Sequence, residues 1–170
     1  MNKRASLPSG RTPASANVNK AALQLDQQLC FALYATSLAM TKIYRPLLRS
    51  LGLTYPQYLV MLALWQHGEL SVGQLGEKVA LDSGTLVPLI RKLSALELLN
   101  RHRSPTDDRS VLISLTAQGA ALQNQTHTIH EQVSCATQRS DAQRLALVSN
   151  LQTLRTSLRA AGSTSSKAKL

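Results

Sequence analysis

The sequence predicts a mainly α-helical protein with a small β-hairpin: a winged helix–turn–helix whose long flanking helices form a dimerisation region. Three observations predict it. A short helix meets an amphipathic second one across a tight polar junction at Leu81-Asp82. The hydrophobic period then switches from helical spacing to alternation over about residues 98–115. The helices before and after this stretch carry more apolar surface than a small module can cover, which a helical dimer would bury.

The elements follow in chain order. Residues 1–18 are rich in Ser, Pro, Ala and basic side chains and read as a disordered basic extension. A first helix is predicted from about Leu23 to Arg45, with Leu25, Leu29, Leu33 and Met40 on its apolar side. Pro46 and the run Leu51-Gly52-Leu53 are expected to interrupt it. Thr54, Pro56 and Gln57 make a new helix start: a cap, a first-turn proline and a capping-box residue. The stretch Tyr58–Trp65 is nearly all apolar and is expected to be buried. Ser71 with Gln74 is a second capping-box pair and opens a short helix. Asp82 caps the next helix, to about Leu96, with Leu86, Leu89, Ile90, Leu93 and Leu96 in one stripe. Pro88 lies inside it four residues after Gly84, so a local bend is expected there and no break. Strands are expected at Leu98–His102 and Ser110–Leu115 around a polar turn, Arg103–Arg109. Thr116 caps one long helix to about Gln138, and a last helix covers about Asp141–Arg159. Leu145, Val148, Leu151, Leu154 and Leu158 mark its inner side, and a flexible tail follows over 163–170. The expected organisation is a dimer domain over 19–162, with dimerisation helices at about 23–53 and 117–160 and a DNA-binding module at about 54–116.

Composition narrows the function class. With 19 Lys and Arg against 9 Asp and Glu, the chain carries +10, which implies a polyanionic partner. Six of those positives lie in the two tails (Lys3, Arg4, Arg11, Lys20, Lys167, Lys169), so charge alone argues only weakly for nucleic acid. No apolar run reaches the ~18 residues of a membrane span, and no apolar segment follows the basic start as in a secretory signal. A cytoplasmic location without membrane association is expected, and no cofactor is.

The spacing also has chemical content. In a winged helix–turn–helix the second helix enters the major groove by its N-terminal residues. Ser83 and Thr85 are short hydroxyl side chains suited to phosphates or base edges. Arg91 and Lys92 follow where a backbone phosphate can be met. Arg109 at the hairpin tip can reach an adjacent minor groove, with Asp107 holding its guanidinium. The two cysteines, Cys30 and Cys135, are 105 residues apart on separate predicted helices. They are either two inert core thiols or a two-part redox switch. Tyr34 lies one turn from Cys30 on the same face. Tyr44 shares that angular position but lies about 21 Å further along a straight helix, within reach only if two such helices meet antiparallel. His127, His130 and Glu131 lack a further ligand set apart from Cys135, so a solvated helix face is expected and no metal site.

Several stretches resemble the MarR family of dimeric winged-helix regulators from about Leu23 to Ala160, most closely its OhrR-type, organic-hydroperoxide-sensing branch. They are Leu25–Tyr34 with its cysteine, Lys42–Pro46, Leu53–Tyr58, Leu81–Leu89 with Pro88, and the Asp-x-Arg wing Asp107–Arg109. The resemblance implies that Cys30 is the peroxidatic cysteine. It makes Tyr44 and Tyr55 its hydrogen-bond partners, contributed by the other subunit, and Cys135 the resolving cysteine of a two-cysteine subgroup. It places Asp82, Ser83, Thr85 and Arg109 at DNA-contacting positions, with a basic residue expected at Lys92. The implied function is a non-enzymatic repressor: the reduced homodimer holds a pseudo-palindromic double-stranded operator, and organic hydroperoxides oxidise Cys30. Cys30 then forms an intersubunit disulfide with Cys135, and the DNA is released. Competing readings are a regulator controlled by a phenolic or lipophilic ligand, a thiol peroxidase, and a helical dimer without DNA affinity.

Overall fold

The computed structural model describes residues 23–107 and 110–167. The 1–18 extension and Arg109 therefore lie outside the described residues. The chain divides at Ala39 into two compact units. The first holds a 3-10 turn at Leu25–Gln27 and the start of helix α1, Leu29–Arg49. Among the described residues, the second holds every buried hydrophobic one.

α1 starts six residues later than its apolar spacing implied, and it does not stop at Pro46, which lies inside it. A proline removes one backbone donor. In the last turn of a 21-residue helix that is one bond, and Leu48, fully buried, anchors the turn into the core. The helix ends instead where Gly52 takes a left-handed φ of 66°, with its N–H on the Arg49 carbonyl.

Helix α2, Tyr55–His67, begins where the capping signal placed it. The Gln57 side-chain oxygen accepts from the Thr54 N–H at 2.8 Å and from its hydroxyl at 2.9 Å. α2 is the central element of the core: Tyr58, Val60, Met61, Ala63 and Leu64 are buried. Helix α3, Val72–Val79, has a reciprocal box, Ser71 N–H to Gln74 at 2.9 Å and Gln74 N–H to Ser71 Oγ at 3.2 Å. Its end is tight. Ala80 is left-handed at φ 57°, and the Leu81 N–H bonds the Gly76 carbonyl at 3.0 Å. A Cβ on Gly76 would stand 2.9 Å from the Leu81 carbonyl oxygen, so glycine is what lets this junction close.

Helix α4, Ser83–Ala95, runs unbroken through Pro88. Leu86, Ile90 and Leu93 are buried, but Leu96, expected in the same stripe, is 44 % exposed. It follows the last helical residue, so its side chain is no longer bound to the helical face. Strands β2, Leu99–Arg103, and β3, Val111–Leu115, pair antiparallel with Arg101 opposite Ile113. A third strand that the alternation did not reveal, β1 at Leu70–Ser71, pairs with β3 on its other side, giving the order β1-β3-β2. Two residues are too short to show a period.

The single helix expected from Thr116 to Gln138 is three pieces: α5, Ala117–Ala121, a 3-10 turn at Leu122–Gln125, and α6, His127–Ala136. The break has a local cause. The Thr126 hydroxyl donates to the Gln123 carbonyl at 2.7 Å and competes with helical backbone bonding. The last helix, α7, extends past Arg159 and Gly162 to Lys167, further than its apolar pattern and the expected tail allowed. Of its expected inner side, Leu145, Val148, Leu151 and Leu158 are 40–69 % exposed in the single chain.

Candidate DNA-binding and redox site

The exposed polar surface of the helix–turn–helix is built by the α3–α4 junction. Asp82 caps α4 by accepting the Thr85 N–H at 2.9 Å and the Thr85 hydroxyl at 3.0 Å. Those two bonds hold its carboxyl below the ordinary carboxylate range. The Thr85 hydroxyl proton is thereby committed, and the oxygen presents lone pairs outward. Asp82, Ser83, Thr85, Arg91 and Lys92 are all exposed, on one helix whose opposite face is core.

The hairpin adds charge beside them. β2 is an edge strand, and Asn100, Arg101, His102 and Arg103 are exposed along it. His102 Nε2 lies 3.0 Å from a carboxylate oxygen of Glu69, which ties the edge strand to the residue preceding β1. Arg101 and Arg103 were not singled out from the sequence, although a basic pair at alternate positions of an edge strand was visible there. The hairpin narrows at Ser104, whose N–H bonds the Ser110 carbonyl at 2.9 Å. Asp107 is exposed, with its carbonyl accepting the Ser110 N–H at 2.9 Å. Its expected partner Arg109 is outside the described residues.

The predicted redox residues divide between the two units. Cys30 and Tyr34 lie on α1 in the first unit, both exposed. Tyr44, Tyr55 and Cys135 lie in the second. Cys135 is a free, exposed thiol near the C-terminal end of α6, in an open depression lined by His130, Glu131, Arg139 and Arg144. Exposure removes the reading of the two cysteines as core residues in the single chain.

Tyr44 and Tyr55 are brought together, with ring centroids 4.7 Å apart. Burial, reinforced by the neighbouring phenols of Tyr55 and Tyr58, pushes the Tyr44 pKa up to about 12. Burial raises Tyr55 as well. Both hydroxyls therefore stay protonated and can donate to an anionic acceptor. Two further aromatic residues extend the pair. Tyr58 lies 5.9 Å from Tyr44, and Trp65 lies 6.1 Å from Tyr58 edge-on. Neither was singled out from the sequence, where they read as core.

An exposed, capped second helix after a tight junction, flanked by a basic edge strand, defines a winged-helix DNA-binding regulator. Comparison with known proteins agrees. Residues 42–126 match the family of the transcriptional regulator SarA/Rot. An organic hydroperoxide resistance transcriptional regulator of Bacillus subtilis is 54 % identical over 100 residues, 59 % of this chain and 68 % of the relative. The regulator TtmR of Methylorubrum extorquens is 45 % identical over 141 residues, 82 % of this chain and 72 % of its own. Among solved structures, reduced AbfR bound to DNA is 30 % identical with a TM-score of 0.66, covering 82 % of this chain and 98 % of that one. AbfR is a Staphylococcus epidermidis protein, and its disulfide-formed structure matches with a TM-score of 0.56.

The chain belongs to the MarR family of winged-helix transcriptional regulators, with the SarA/Rot regulators and the organic hydroperoxide regulators as its relatives. It is a DNA-binding transcriptional regulator and no enzyme, which sets aside the thiol-peroxidase reading. No described helix is long and apolar enough to cross a membrane.

Proposed function

We propose that this regulator is a peroxide-responsive repressor acting as a cytoplasmic homodimer. In the reduced state the two α4 helices occupy successive major grooves of a pseudo-palindromic operator. Asp82, Ser83 and Thr85 sit at the base edges, and Arg91, Lys92, Arg101 and Arg103 face phosphates. Arg109 and Asp107 serve at the wing tip. An organic hydroperoxide, ROOH, is attacked at oxygen by the Cys30 thiolate. The O–O bond breaks, the terminal OH passes to sulfur to give a sulfenic acid, and the alkoxide leaves as ROH by taking up the proton the thiol lost on ionising. The partner subunit's Cys135 then displaces water from that sulfur, forming a disulfide across the dimer. Bringing two Cα atoms to the ~4.4–6.8 Å of a disulfide shifts helices and spoils the spacing of the two α4 helices on DNA.

The observation that carries the reading is the Tyr44–Tyr55 pair, 4.7 Å apart and held protonated. Two phenol donors side by side are what a thiolate needs, and they accompany two exposed thiols on the same chain. The exposed leucines of α7 supply the apolar face that a second copy would cover.

Non-reducing gel electrophoresis before and after cumene hydroperoxide tests it. A dimer-sized band is expected that disappears in Cys30→Ser and in Cys135→Ser, with reductant restoring DNA binding. An oxidised band that stays at monomer size overturns the intersubunit bond. Release of DNA by salicylate alone, undiminished in Cys30→Ser, replaces the peroxide reading with a ligand-controlled one.

A further inference from the structure

The aromatic residues next to Tyr44 and Tyr55 do more than fill the core. They form a file with polar contacts at its far end. Tyr55 touches Tyr44, Tyr44 touches Tyr58, and Tyr58 touches Trp65, at 4.7, 5.9 and 6.1 Å between ring centroids. Tyr58 is 4 % exposed, and its hydroxyl interacts with the side chain of Thr126, itself 8 % exposed. The Thr126 hydroxyl also donates to the Gln123 carbonyl at 2.7 Å. Thr126 is the residue at which α6 starts. Trp65 donates its indole N–H to the Gly119 carbonyl at 2.9 Å, 54 residues along the chain. Gly119 is in turn pressed on the start of the wing, where a Cβ would stand 2.1 Å from the Leu98 carbonyl oxygen.

We propose that Tyr58 is a positioning residue that couples the Tyr44–Tyr55 pair to the junction where the wing meets α5 and α6. This rests on the peroxide-responsive reading above. Three properties of the file support it. Its contacts are continuous. Its near end is the phenol pair that would exchange a thiolate for a sulfenic acid or disulfide neighbour. Its far end fixes the two points, Thr126 and Gly119, that set how α6 and the wing leave the core. A change in the hydrogen bonding of Tyr44 shifts its ring, Tyr58 follows in a close-packed interior, and the Thr126 and Gly119 contacts feel it.

Trp65 is the sole tryptophan of the chain, so its fluorescence reports this junction directly. The test compares wild type, Tyr58→Phe and Trp65→Phe, each keeping an aromatic ring and losing one polar hydrogen. DNA affinity is measured by anisotropy on a labelled duplex selected from a random pool with reduced wild-type protein. Reduced Tyr58→Phe is expected to bind within about twofold of wild type, and its Cys30 thiol to be consumed by cumene hydroperoxide at the same rate. The ratio of reduced to oxidised affinity is expected to shrink ~2–10-fold, the range set by one hydrogen bond. Trp65→Phe is expected to shrink it similarly. Oxidation should shift the emission of wild type and leave that of Tyr58→Phe nearly still.

Wild-type ratios and emission shifts in Tyr58→Phe overturn the proposal alone. Loss of DNA binding by the reduced variant, at unchanged melting temperature, also overturns it and gives Tyr58 a role in the DNA-bound fold itself. Failure of oxidised wild type to leave DNA overturns the peroxide-responsive reading, and the coupling with it.

Discussion

Replacing Gly119 by alanine is the sharpest single test of how the wing is held. The added Cβ would lie 2.1 Å from the Leu98 carbonyl oxygen and 3.1 Å from its carbon. Both are backbone atoms, so no side chain can turn aside. Ordinary contact requires a displacement of about 1 Å, and overpacking of this kind costs about 1–3 kcal/mol. The displaced carbonyl is the acceptor for the Thr116 N–H at 3.0 Å, and the Gly119 carbonyl is the acceptor for Trp65 at 2.9 Å. Weakening either bond adds about 0.5–1.5 kcal/mol, while the better helix propensity of alanine returns up to ~1 kcal/mol. These contributions sum to a loss of about 0.5–4.5 kcal/mol, centred at ~2.5 kcal/mol, or a melting temperature lower by roughly 5–10 °C at that centre for a chain of this size. Circular dichroism melts at one fixed protein concentration read it. Gly73→Ala is the internal control. Its Cβ would meet only Ser71 Oγ at 3.9 Å, an ordinary contact, so this variant should melt at or slightly above wild type. Equal shifts in the two variants, or a Gly119→Ala melt within about 1 °C of wild type, would refute the close-approach argument.

Two other outcomes follow from the same geometry. Lys92→Ala should weaken DNA binding across sequences and lower the slope of log affinity against log salt by about one per protomer, with base preference unchanged. A change in preference instead would place Lys92 at a base edge. Alkaline titration should expose Tyr44. Its pKa is raised in the fold from 10.0 to about 12, so the folded state holds that proton more tightly. The associated stability is complete below pH 10 and declines as pH rises between those values. Tyr44→Phe should flatten that decline in urea melts taken between pH 9 and 11.5, and an unchanged profile would reject the assignment.

The sequence was most legible where a side chain acts on its own backbone. Thr54 with Gln57, Ser71 with Gln74 and Asp82 with Thr85 each mark a helix start that the structure has, because a cap is a bond between near neighbours in sequence. The exposed polar face of α4 was readable for the same reason: a 13-residue amphipathic helix sorts its own faces. Legibility failed where tertiary contact decides. Pro46 is carried through α1 because Leu48, two residues on in the same last turn, is buried. The break between α5 and α6 could not be read from apolar spacing, since Leu122, Ile129 and Val133 keep that spacing across it. β1 exists only because β3 is there to pair with it. The Trp65–Gly119 bond joins residues 54 apart, with no local pattern at either end.

Thr116 has a consequence for how such a protein can change its target. Its N–H bonds the Leu98 carbonyl at 3.0 Å and its hydroxyl the Glu97 carbonyl at 2.7 Å, so the hairpin is closed at its base as a ring. A second closure, Ser104 to Ser110, seals it again just below the tip. Doubling the length of a loop beyond such a closure costs only about 0.6 kcal/mol of entropy. Insertions, deletions and substitutions at the tip are thereby insulated from α4. The hairpin beyond the second closure can be rewritten in length and charge while α4 keeps its place, leaving the two elements free to evolve separately.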